Sequence, residues 1–131
     1  MAAAPVYIGT PKTLGIAALT TANTNRDGTT GTYVTVVTAG AAPGSRIDRV
    51  RIQASGTVTA GVVRLFLSDG SNVRLLREVI VPATTPSTTV EAWSQDVTFP
   101  DGIPISNAWL LKASTHNSET FNVFAFGGDF V

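Results

Sequence analysis

The chain contains no cysteine. That removes disulfides, thiol nucleophiles and thiolate metal sites together. It has one histidine, His116, so no zinc site of the usual His or Cys/His composition can be assembled from it. Lysine and glutamate are scarce, at two and three residues, and there is one methionine. Those absences take away the good helix formers. No apolar run approaches the roughly 20 residues of a membrane helix. The first residues, MAAAPVYIGTPK, lack the basic region and apolar core of a signal peptide. Charge is sparse, at 14%, and balances to zero. A phosphate-neutralising or polybasic surface needs an excess of cations, so neither nucleic acid nor a membrane surface is an expected partner.

What remains is rich in Thr, Val, Gly and Ala, with 44% hydrophobic residues over 131 positions. That suffices for one domain with a core. β-branched residues favour strands. An all-β chain is expected on composition alone.

Periodicity agrees. Strands are expected at 33–38, 46–54, 61–68, 73–81, 88–99, 103–105, 109–114 and 121–126. In 46–54, Val50, Ile52 and Ala54 share one face, which Asp48 interrupts, while Arg49, Arg51 and Gln53 take the other. In 61–68, Val63, Leu65 and Leu67 oppose Arg64. Asp69-Gly70-Ser71-Asn72 reads as the turn of a hairpin, and Asp101-Gly102 as another turn. Pro5, Gly9, Pro11 and Gly15 interrupt residues 1–15 too often for regular structure, so these are expected to form an extended arm before a sandwich domain at 16–131. About eight short antiparallel strands imply a single two-sheet β-sandwich, jelly-roll-like, with the strand order left open.

Signs of chemistry are few. Asn23-Thr24-Asn25-Arg26-Asp27-Gly28 opens like a calcium loop, and Gly28 falls at its sixth position. The first position lacks an acid, however, and the twelfth is Val34 where a bidentate Glu is needed. It reads as a polar loop in which Asn, Asp and Gly shape the backbone. His116 sits between two strands beside Ser114, Ser118 and Glu119, and proximity in sequence makes no triad. Gly127-Gly128 has no helix after it and is no phosphate loop. No enzyme, metal or cofactor is expected.

Arginine is more informative. Between residues 46 and 77, six Arg against Asp48 and Asp69 leave +4, whereas residues 91–131 carry −4. Cross-strand pairing inside one domain accounts for this. Complementary contacts between subunits account for it too, since Arg is enriched at interfaces. The run Phe121, Val123, Phe124, Ala125, Phe126 and Phe130 places bulky residues on both faces of one strand, as in a central strand or one that meets a partner.

Three segments, TANTNRDGT (21–29), VRLFLSDGSNVRLL (63–76) and LKASTHNSETFNVFAFGGDF (111–130), resemble a group of small virion proteins of tailed bacteriophages. The resemblance implies a non-enzymatic particle component. Jelly-roll-like members often act as capsid decoration, or cement, proteins. These sit on the capsid exterior, commonly as trimers, and bridge capsomers. The implied partners are the major capsid protein and further copies of the chain. Contacts are expected from the arm, through Pro5, Tyr7 and Ile8, from the loop, through Asn23, Asn25, Arg26 and Asp27, and from Arg49 and Arg51. A neck, tail or baseplate component is the alternative. A carbohydrate-binding module is a further one, with Tyr33, Trp93, Trp109, Asn23 and Asn25 as its candidate contacts.

Overall fold

The computed structural model describes residues 8–130. Within them lie eight strands: β1 (Ile8–Leu19), β2 (Val34–Thr38), β3 (Ser45–Ala54), β4 (Gly61–Ser68), β5 (Val73–Val81), β6 (Ser94–Ile105), β7 (Leu110–Thr115) and β8 (Phe121–Phe130). They form two antiparallel four-stranded sheets, ordered β1-β8-β3-β6 and β2-β7-β4-β5. Only β4 and β5 follow one another within a sheet; every other connection crosses to the opposite sheet. This is the eight-stranded jelly roll.

The alternation seen in the sequence builds the core. Val50, Ile52 and Ala54 of β3, Val63 and Leu65 of β4, Leu111 and Ala113 of β7, and Phe121, Val123 and Ala125 of β8 all point between the sheets and are buried. Each large side chain so buried contributes about 1.5–3 kcal/mol. Asp48 interrupts the pattern because it is a bulge. The register of β3 shifts between Ile47 and Arg49 against both of its neighbours, which returns Ile47 to the inner face.

Two expectations about strand boundaries change. Residues 8–15 do not stand apart from the sandwich: they are the first two-thirds of β1, paired with β8. β1 is an edge strand, where Pro11 can leave its missing N–H unpaired, and register shifts near Gly9 and Leu14 absorb the irregularity. At Gly15, β1 closes on β2 so tightly that a Cβ would overlap the Val36 carbonyl. The second change concerns β6. Asp101 and Gly102 do have positive φ, at 64° and 72°. The chain then returns to the same partner, since Thr98 faces Arg49 and Ile103 faces Ile47. One strand with a protruding bulge therefore replaces two strands and a turn. The stretch from Thr88 to Trp93 precedes β6 and is not part of it.

Candidate functional site

The outer surfaces of the two sheets differ. On the β1-β8-β3-β6 sheet, Ile16, Phe124, Arg51 and Asp96 lie directly opposite one another on successive strands, forming one row across the sheet. The neighbouring row holds Thr13, Phe126, Arg49 and Thr98. Phe124 and Phe126 stack at 6.4 Å, and the Arg49 guanidinium lies over the Phe126 ring at 4.7 Å. Ile16 is 68% exposed. Small Ala17 and Ala18 beside it leave an apolar groove of about 310 Å³, completed by Asn122 and Phe124. The bulky residues on both faces of β8 are thus explained: Phe121 and Val123 fill the core, while Phe124 and Phe126 pave the outside.

Charge on this face is unevenly matched. Arg49 and Arg51 share the one carboxylate of Asp96, at 3.8 and 3.3 Å. Arg51 also donates to Gln53 Oε1 at 3.0 Å. Neighbouring Arg46 is satisfied by Asp48 at 2.7 Å.

The outer surface of the β2-β7-β4-β5 sheet is covered in part, with Ile80 of β5 left 70% exposed. Residues 20–33, between β1 and β2, lie against it. Asn23 fastens both ends of this loop. Its backbone N–H donates to Thr115 O at 2.8 Å, its side-chain amide donates to Thr32 O at 3.1 Å, and its Oδ1 accepts from Asn25 N–H at 3.0 Å. Beneath it lies Arg64, 2% exposed and so not on a solvent face as an isolated strand pattern implies. Arg64 donates to Glu78 at 3.2 Å, to Asn23 O at 3.3 Å and to His116 Nδ1 at 3.3 Å. A guanidinium only donates, so this contact is a hydrogen bond in the tautomer whose ring hydrogen is at Nε2. Arg26 reaches the same Glu78 oxygen from the solvent side at 3.0 Å.

This cluster fastens the loop to the sheet. The one His accepts from a guanidinium, and the Ser114 hydroxyl across from Arg64 has no hydrogen-bond partner. Asp27 is occupied by its own turn: the Thr29 hydroxyl and N–H donate to Oδ1 at 2.7 and 3.1 Å, which holds its carboxyl below the usual range. Among the described residues, no three His, Asp or Glu side chains converge as a metal site would require.

The structure therefore divides the sequence-derived contact residues. Arg49 and Arg51 belong to the open face. Asn23, Asn25, Arg26 and Asp27 belong to the loop over the other sheet. Pro5 and Tyr7 lie outside the described residues; the backbone of Ile8 pairs with Phe130, and its side chain also lies outside them. The aromatic candidates for sugar contact are half-buried, and Trp109 also lines a shallow surface groove with Leu67, Asp69, Asn72 and Arg74. Trp93 meets Phe121 edge-to-face at 6.0 Å, Tyr33 meets Phe66 at 4.8 Å, and Trp109 packs on the core.

No protein-family model, no curated protein and no solved structure matches the chain. The reading of its function rests on these two surfaces and on the sequence segments.

Sequence reasoning missed Ile16 as a surface residue and put bulky residues on both faces of β8 without choosing Phe124 as outward. The signal was present: alternation anchored on Phe121 and Val123 turns Phe124 outward. Ile16 could not be placed without knowing that β1 exists.

Proposed function

We propose that the chain is a non-catalytic structural subunit of a tailed-phage particle, a decoration or cement protein on the capsid exterior. In this reading it docks on the major capsid protein, bridges neighbouring capsomers and stabilises the shell. The observation that carries the reading is the open face around Ile16, Phe124 and Arg51. It combines an exposed aliphatic residue, stacked aromatic rings and arginine on a two-sheet scaffold. Aromatic residues and arginine are enriched where proteins meet. The resemblance of residues 21–29, 63–76 and 111–130 to small virion proteins supplies the particle.

The mechanism is additive. A specific contact buries about 800 Å² on each partner. Many copies on one shell act together against outward pressure, as in multivalent binding. In this mechanism no bond is made or broken.

The test is quantitative mass spectrometry of purified particles, with this chain counted against the major capsid protein. A ratio near one to one is expected. A few copies per particle would move the chain to a neck, tail or baseplate position. Absence from particles would overturn the reading, and a glycan array would then be the next experiment.

A further inference from the structure

The open face has a recognisable spacing. Ile16 on β1 and Arg51 on β3 stand in one row with Phe124 of β8 between them. Two strand spacings separate them, about 9–10 Å. The Ile16 end is an apolar groove with room for an aliphatic side chain. The Arg51 end has two guanidiniums and one carboxylate, because Asp96 is shared with Arg49. Its electrostatic complement is one further carboxylate.

From this spacing and charge we infer that the face binds an extended segment of the particle partner carrying an aliphatic residue and an acidic residue three positions apart. The inference rests on the particle reading and names the partner chemistry. A polyproline II segment puts residues i and i+3 on the same side, about 9 Å apart, which matches the row. It also carries its backbone polar groups outward, and aromatic-lined grooves are its usual receptors. The aliphatic side chain enters between Ile16, Ala18 and Phe124. The carboxylate meets Arg51 and Arg49, whose planar N–H groups donate to it from two sides. The stacked rings of Phe124 and Phe126 carry the intervening residues.

A second copy of the chain is a poorer occupant. The carboxylate this face presents, Asp96, is already held by its own Arg49 and Arg51, so a second copy brings no free acidic group to them.

The test uses the full chain labelled with ¹⁵N and a synthetic peptide, Gly-Leu-Pro-Pro-Asp-Gly, titrated to millimolar concentration. Shifts are expected at the amides of Ile16, Phe124 and Arg51. The R49Q/R51Q double variant should bind about tenfold or more weakly, as for loss of a charge-assisted contact. Added salt should weaken the wild type and leave that variant unaffected. Equal binding of the Leu-Pro-Pro-Lys peptide, or no shift at those three residues, would overturn the inference. Self-association of the free chain that I16D abolishes would also overturn it, because a second copy would then fill the face. These outcomes are read without particles. Particle binding by the wild type together with a silent peptide titration therefore rejects the segment and keeps the subunit reading. A responsive peptide with no particle binding does the reverse.

Discussion

The Arg64 and Glu78 side chains meet at 3.2 Å across β4 and β5, with Arg64 2% exposed and Glu78 28% exposed. Arg26 reaches the same carboxylate oxygen from outside, where its own side chain is 65% exposed. One carboxylate therefore serves a buried cation and a solvated one.

The two halves of that arrangement should separate in urea unfolding. Glu78→Ala leaves Arg64 buried without its counter-charge and should cost about 3 kcal/mol. Arg26→Ala removes an exposed pair and should cost less than about 1 kcal/mol. Equal losses would mean that Arg64 does not depend on Glu78.

Acid should weaken the fold through hydrogen-bonded carboxylates. Asp69 accepts from the backbone of Asn72 and Ser71 at 2.7 and 2.9 Å, and from the Asn72 amide. These bonds lower its pKa to about 2. Asp129 is lowered by Lys12 and by the Ser45 hydroxyl, and Asp27 by Thr29. A depressed folded pKa gives stability that is fully present above the unfolded value, near 4, and is lost as pH falls through the folded value. Thermal melts should therefore decline from pH 5 towards pH 2. Asp69→Asn should show a smaller decline. An unchanged slope in that variant would remove Asp69 from the account.

The close approach of β1 to β2 gives a third expectation. Gly15→Ala places a methyl group on the Val36 carbonyl and should cost about 2 kcal/mol, as overpacking does. Gly56 has open space around it, so Gly56→Ala should leave the melting temperature unchanged or raise it slightly. If Gly15→Ala melts with the wild type, β1 does not pack there as described.

Local patterns made β3 and β4 legible through alternation, and β5 through the Asp69-Gly70-Ser71-Asn72 turn before it. β1 was not legible. Pro11 and Gly15 read as breakers in isolation, yet both are tolerated on an edge strand whose irregularities are absorbed by register shifts. The positive-φ turn at Asp101-Gly102 was legible as a turn, but its outcome, a return to the same neighbour, depends on pairing with β3. Arg64 shows the same limit. Its outward position is local information; its burial comes from a loop some 40 residues earlier in the chain. The candidate face is legible in halves, Arg49 and Arg51 from one strand and Phe124 from another. Their adjacency comes from β3–β8 pairing across more than 70 residues, which no local signal carries.

The alternating faces of β8 give the prediction that separates stability from function. Phe121 is 1% exposed, packs edge-to-face on Trp93 and belongs to the core. Phe121→Ala should cost about 3–5 kcal/mol, as other buried Phe truncations do. Ile16, on the open face, is 68% exposed, so Ile16→Asp should change stability by no more than about 0.5 kcal/mol. Its effect should appear instead in co-sedimentation with particles, which a carboxylate in the apolar groove should abolish. Equilibrium unfolding and co-sedimentation on the same two preparations check both halves. A folded Ile16→Asp protein that still sediments with particles at wild-type occupancy would move the contact off this face, because an aliphatic anchor at the centre of an interface cannot be replaced by a charge without loss.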